Sequence, residues 1–211
     1  MQGANGDTHL ITTDAALDAR YDQPGWVAQA KETDRIIAPY RAFIEASPFC
    51  VLATNGARGL DCSPRGDAPG FVRIADETTL LMPDRRGNNR IDSLRNIVRD
   101  PRVSLLFLIP GCGETLRIIG RAVISADPAL LESFALNGAA PRTVLVVTVE
   151  RVFYQCASAI NRAQLWNPAR HIERTSLPST NAILAAIQWN GLKRKVGAGR
   201  SSAHAPAEPA E

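Results

Sequence analysis

Lysine is nearly absent from this chain: Lys31, Lys193 and Lys195 are lysines, and the rest of the 24 basic residues are arginines. The formal charge is only +3, so the overall balance gives no argument for a nucleic-acid or membrane-surface partner. Aromatic residues do not interleave with the basic ones as a single-strand stacking platform requires. Cysteine is sparse as well. Cys50, Cys62, Cys112 and Cys156 include no C-x-x-C pair and have no neighbouring histidine, which argues against a zinc site and a disulfide framework. Cys50 and Cys62 lie in strand-like surroundings and are expected to be small buried hydrophobes. His9, His171 and His204 are scattered, so no metal site is expected. The longest strongly apolar run, Val103 to Ile109, is far short of the roughly 20 residues a spanning helix needs. Met1 to Asp22 shows no basic-then-apolar leader. No internal repeat is visible. A reducing, cytoplasmic setting without a membrane partner is the expectation.

What is present is an ordinary globular composition, 45% hydrophobic and 21% charged over 211 residues, enough for one sizeable core. Residues 1–25 carry little periodicity and read as an N-terminal arm. Residues 26–190 read as one domain, and residues 191–211 as a basic, then disordered tail. Ile36, Ile37, Tyr40, Phe43 and Ile44 recur at helical spacing within Trp26 to Ala46, with Pro39 expected to perturb or divide the helix. Strands are expected at Phe49 to Thr54, Leu60 to Ser63, Phe71 to Ile74, Thr78 to Met82, Val103 to Ile109, Thr115 to Ser125 and Arg142 to Tyr154, with Asn55-Gly56 as a hairpin turn. Asn88 or Asn89 is expected to cap a helix with an apolar face of Ile91, Leu94, Ile97 and Val98. Further helices are expected at Pro128 to Leu136, opened by Asp127, at Gln155 to Leu165 and at Asn181 to Trp189. The fold class is mainly β with helical decoration, a closed antiparallel barrel.

The segment from Leu80 through Met82, Arg85, Arg86, Gly87, Asn88, Asn89 and Arg90 to Leu94 carries the chemistry. A strand end feeds a short loop that opens a helix, so backbone N–H groups and the positive end of the helix dipole converge. Three arginines and two asparagines on that loop add phosphate donors. Neither G-x-x-x-x-G-K-[ST] nor G-x-G-x-x-G occurs, which excludes the usual P-loop and dinucleotide fingerprints. A mononucleotide phosphate is the expected ligand. Asp67 and Glu114 are expected to orient neighbouring arginines.

Three ordered motifs carry a resemblance: Ser63-Pro64-Arg65-Gly66-Asp67-x-Pro69-Gly70-Phe71-Val72; Pro83-Asp84-Arg85-x-Gly87-Asn88-Asn89-Arg90-x-Asp92-Ser93-Leu94-Arg95-Asn96; and Gly113-Glu114-Thr115-Leu116-Arg117-x-x-Gly120-Arg121-Ala122. From about Tyr40 to Pro168 the chain resembles the FMN-dependent subgroup of the pyridoxamine 5'-phosphate oxidase-like proteins. The resemblance implies an antiparallel split β-barrel homodimer holding FMN at the subunit interface, and an oxidoreductase acting on a small-molecule substrate. By position it implies cofactor contacts from Asn88, Asn89 and Arg90 at the phosphate, with Arg85 close behind. It also implies Ser63 and Arg65 beside the ring and ribityl chain, Met82 on the strand feeding the phosphate loop, and Glu114, Thr115 and Arg117 from across the dimer. Cys156-Ala157-x-Ala159 and Arg162-x-x-Leu165-Trp166-x-Pro168 look like the family's closing segment, which makes Trp166 a further candidate. Arg65 and Arg117 are the candidates for stabilising an anionic reduced ring. The chain departs from the family's pattern at Ser158 and Asn167, and its tail lacks the substrate segment of authentic pyridoxamine 5'-phosphate oxidases, which argues against vitamin B6 oxidation. A flavin- or haem-binding module without turnover is the alternative.

Overall fold

A computed structural model describes residues 9–187 of the chain. Expectations for residues 1–8, for Gln188 and Trp189 and for the tail lie outside the described residues. The chain divides after Trp166 into two compact units.

The first unit opens with α1 (Asp14–Asp18), α2 (Trp26–Ala30), β1 (Glu32–Thr33) and α3 (Ala38–Ala46). The helix expected over residues 26–46, perturbed or divided at Pro39, is two helices separated by a short strand. Pro39 begins α3 rather than interrupting it, because its fixed φ and missing N–H suit a first helical turn. The sheet strands follow: β2 (Phe49–Gly56), β3 (Gly59–Gly66), β4 (Arg73–Asp76) and β5 (Thr79–Pro83), then α4 (Asp92–Arg99), β6 (Arg102–Leu108), β7 (Thr115–Ser125), α5 (Pro128–Ser133), β8 (Val144–Gln155) and α6 (Ser158–Ala163). The second unit, as far as it is described, holds two 3-10 turns and α7 (Thr180–Ala186), whose first turn is capped by the Ser179 hydroxyl.

All strand pairs are antiparallel, in the order β3-β2-β6-β7-β8-β5-β4, with β1 on β8. Period-2 alternation sends one row of side chains inward across four strands, Leu52, Leu105, Ile118 and Val152, each at most 1% exposed. The sheet curls on itself: Cys50 on β2 lies 3.9 Å, sulfur to sulfur, from Met82 on β5, although three strands separate them in sheet order. This is an antiparallel eight-stranded split β-barrel, as expected. Between β7 and β8 the register slips after Ile119, leaving Glu150 as an extra residue opposite Gly120. A methyl group at Gly120 would collide with the Thr148 carbonyl.

Four local expectations are corrected. The first hairpin turns at Ala57-Arg58, since Gly56 pairs with Gly59, and Asn55-Gly56 ends the strand instead. An Asn-Gly turn forms instead at Asn137-Gly138, both at positive φ, closed by reciprocal hydrogen bonds of 3.0 Å between Leu136 and Ala139. Asn88 and Asn89 do not cap α4: the residue before the helix is Ile91, with no side-chain cap. Its buried face is Ser93, Asn96 and Ile97, whereas Val98 is 76% exposed. Cys50 is buried as expected, but Cys62 is exposed on β3, a strand at the end of the sheet order.

Candidate functional site

Arg65 sits at the end of a second inward row, next to Cys50, Phe107, Leu116 and Tyr154. Being on β3, it has no further strand beside it in the sheet order, and its guanidinium reaches Asp84 at the end of β5, Nη1 to Oδ1, 3.1 Å. Asp84 in turn is held by its backbone N–H, which donates to the Thr143 carbonyl at 2.9 Å. Burial beside these strands pushes the Cys50 thiol up to about 12, only partly offset by the Arg65 charge.

The loop after β5 rises from this point. Arg85 donates from Nε to Asp67 Oδ2 at 2.6 Å and from Nη1 to the Phe134 carbonyl at 2.7 Å. The Asp67 carboxyl lies below the ordinary carboxylate range, chiefly because the Ala68 N–H donates to it, with Arg85 adding to the effect and desolvation opposing it. Asp67 therefore orients Arg85, as expected of it. Asn89 adopts a left-handed conformation, φ 59°, which asparagine tolerates better than most residues. Its side-chain oxygen accepts from Arg142 at 3.2 Å.

Together these residues line a groove of about 590 Å³, bounded by Arg65, Asp84 and the loop Arg85 to Asn89 on one side and by Leu136 and Ala139 to Thr143 on the other. Four of its lining residues are arginines, 65, 85, 86 and 142, against one carboxylate, Asp84. Two buried polar atoms there have no partner among the described residues: Arg65 Nε and Thr143 Oγ1. Buried donors are rarely left unpaired, so each marks a place where a further acceptor belongs. Nothing lies within 4 Å of where a Cβ on Gly87 would sit, which leaves the backbone open to a ligand.

The other candidates fall elsewhere. Ser63 shares the inner face two residues before Arg65 but does not line the groove. Met82 is fully buried in the core, so its side chain does not present to a ligand in the groove. Arg90 is turned away: its Nε donates to Asp92 Oδ2 at 2.7 Å, its side chain is 71% exposed, and it lines a different cleft. Only its backbone N–H, donated to Asn88 Oδ1 at 3.0 Å, joins it to the loop.

Glu114, Thr115 and Trp166 gather at the β6–β7 turn, and Arg117 follows on β7. Glu114 Oε2 lies 3.4 Å from Cys112 Sγ, Thr115 donates to Gln155 Oε1 at 3.3 Å, and Trp166 Nε1 donates to the Cys112 carbonyl at 2.7 Å. Trp166 thus plugs this turn locally. Burial and the nearby Glu114 carboxylate push the Tyr154 phenol up. Arg117 belongs to an outward row with Val51, Leu106 and Phe153. Its guanidinium lies 5.1 Å over the Phe153 ring, and its Nε is buried without a partner among the described residues.

Arg142 and Thr143 were not expected from the sequence. The legible signal was the Asn137-Gly138 dipeptide, which marks a reversal that returns the chain to the groove just ahead of β8. No group of three or more metal-ligating side chains occurs among the described residues, and no described helix is long and apolar enough to cross a membrane.

A family model described as pyridoxamine 5'-phosphate oxidase matches residues 36–156, a span that holds every candidate residue except Trp166. No curated protein matches the chain. Similar solved structures include HupZ of Group A Streptococcus, 18% identical over 56% of this chain and 93% of that one, TM-score 0.46. Another is a protein related to general stress protein 26, of the pyridoxinephosphate oxidase family, from Clostridium acetobutylicum, 18% identical over 54% of this chain and 82% of that one, TM-score 0.43. A third is an F420 reductase, 19% identical over 56% of this chain and 98% of that one, TM-score 0.42. At these identities and scores none of the three bears on what this chain binds.

Proposed function

Because the chain belongs to the pyridoxamine 5'-phosphate oxidase family, we propose that the arginine-lined groove holds FMN and that the protein is an FMN-dependent oxidoreductase of a small organic substrate. The observation that carries this reading is the pair of orphaned buried atoms, Arg65 Nε and Thr143 Oγ1, in a groove lined by four arginines. A phosphate supplies acceptors for both, and guanidinium binds it bidentately. The volume lies within the roughly 300–1,000 Å³ of small-molecule sites. The residues present therefore fit a mononucleotide. Arg65, Arg85, Asn88 and Asn89 are the groups that hold its phosphate end, joined by Arg142 and Thr143, while Arg90 acts only through the backbone of the loop.

FMN, when bound, supplies hydride or electron transfer. The chain's own residues bind and orient it, and with Arg65 at the phosphate end the Arg117 cation is the group able to stabilise negative charge on the ring. Arg117 meets this role across a homodimer. The outward row of Val51, Leu106, Arg117 and Phe153 is apolar apart from one arginine, a composition that suits an interface, and a second chain would supply the acceptor that Arg117 Nε lacks.

The experiment is a parallel titration of flavin-stripped protein with FMN and riboflavin, followed by addition of reduced nicotinamide nucleotide. FMN binding far tighter than riboflavin binding, with bleaching and turnover, is expected. Equal affinity for the two refutes the phosphate assignment. Tight binding without turnover favours a carrier or sensor.

A further inference from the structure

We propose that the cleft between the β2–β3 turn and α4 is a second anion site, for a small phosphate-bearing molecule, distinct from the groove assigned above to the cofactor; that separation rests on the reading of the groove. The cleft measures about 380 Å³ and is lined by Arg58 on the turn and by Arg90, Arg95 and Arg99 on and before the helix. Its only carboxylates are Asp61 and Asp92. Arg90 is paired with Asp92, whereas Arg58, Arg95 and Arg99 make no ion pair or side-chain hydrogen bond among the described residues. Asp92 is drawn below the ordinary carboxylate range first by the hydrogen bond from Arg90, and also by the charges of Arg90, Arg58 and Arg95. Four arginines thus line a cleft that holds two carboxylates, leaving donors over for a polyvalent anion.

The frame of the cleft is fixed rather than adventitious. Asn96, 8% exposed, donates from Nδ2 to Thr54 Oγ1 at 3.0 Å and so ties α4 to β2. Gly56 seats directly on this carboxamide, and any Cβ there would collide with it. Gly59, at φ 101°, completes the turn that carries Arg58, a conformation that only glycine adopts freely. The spacing between Arg58 and the helix arginines is therefore set by packed elements. The 87–92 loop also divides its residues between two sites, Asn88 and Asn89 facing the groove and Arg90 facing the cleft.

The test is calorimetric titration of inorganic pyrophosphate into the flavin-loaded protein, the wild type beside an Arg58→Gln/Arg95→Gln variant, with flavin content read from absorbance in both. Saturable binding of one pyrophosphate per chain is expected, weakened by about tenfold or more in the variant while flavin content stays at the wild-type value. An Arg99→Gln protein provides a second variant if the first fails to fold, and is expected to bind more weakly as well. Three results overturn the proposal: no saturable binding to the wild type, equal binding to the variants, or loss of flavin in the variants, which would assign the cleft to the cofactor. Failure of the FMN reading leaves this outcome separate: in protein that takes up no flavin the same titration is run on the chain as purified, and the loss of affinity in the Arg58→Gln/Arg95→Gln variant still reports the cleft, since neither residue lines the groove.

Discussion

Replacing Arg85 by methionine keeps most of the aliphatic stem and removes the charged head that joins three parts of the barrel. The head contributes the 2.6 Å bond to Asp67 and the 2.7 Å bond to the Phe134 carbonyl. The side chains of the ion pair are 29% and 19% exposed, between a surface pair worth up to about 1 kcal/mol and a buried one whose rupture costs about 3–5 kcal/mol. A loss of about 2 kcal/mol follows, or a fall in Tm of about 4–8 °C for a chain of this size. The groove also loses one of four cations, and FMN affinity falls by about 10- to 100-fold. Asp67→Asn keeps an acceptor for the Ala68 N–H while losing the charge, so the cycle of single and double variants isolates the pair, with a coupling of about 1–2 kcal/mol. The pH dependence has a definite sign. The folded carboxyl of Asp67 titrates below its unfolded value, so its contribution is complete above about pH 4 and is lost as pH falls through the lowered folded value. Urea melts at pH 7 and at successively lower pH should show a steeper acid loss in the wild type than in Asp67→Asn. Wild-type stability in Arg85→Met, or a coupling near zero, would refute the reasoning.

Other expectations follow from the same geometry. Arg65→Gln should weaken FMN binding by about tenfold or more, whereas Arg90→Gln should change it by less than about threefold, because only the first side chain points into the groove; fluorescence titration that ranks them the other way contradicts the placement. Gly120→Ala should cost at least about 2 kcal/mol in urea unfolding, since backbone at Thr148 has to move; a wild-type midpoint would show that the bulge has room. Cys50, with its thiol raised to about 12 and its side chain fully buried, should resist a thiol reagent in the native protein while Cys62 and Cys156 react; mass mapping of rapid label on Cys50 would contradict this.

The barrel was legible wherever apolar residues ran continuously. β6 and β8 announce themselves because both of their faces are apolar, and α5 because Asp127 caps it through the Leu130 N–H. Structure and sequence pattern part where a local signal competes with a tertiary one. Asn55-Gly56 carries hairpin chemistry, but β2 continues because Gly56 must pass close to Asn96 on α4, a contact 40 positions away. Ile91 and Val98 have the spacing of a helix face, yet Asn96 takes a buried position because it has Thr54 to bond. Within the site, the loop from Arg85 to Arg90 was readable as an anion-binding segment. The directions of Arg85 and Arg90 were not, because Asp67 and Asp92 decide them. Arg142 and Thr143 are not legible as site residues because their link to Asn89 and Asp84 spans more than 50 residues of sequence.

Native mass spectrometry of the protein as purified, followed by identification of the released ligand, tests the central claim most directly. A dimer that carries two molecules of FMN and loses them when Arg65 and Arg85 are replaced together is expected. A ligand-free protein that fails to take up added FMN, or one that carries haem or a deazaflavin in its place, would contradict it.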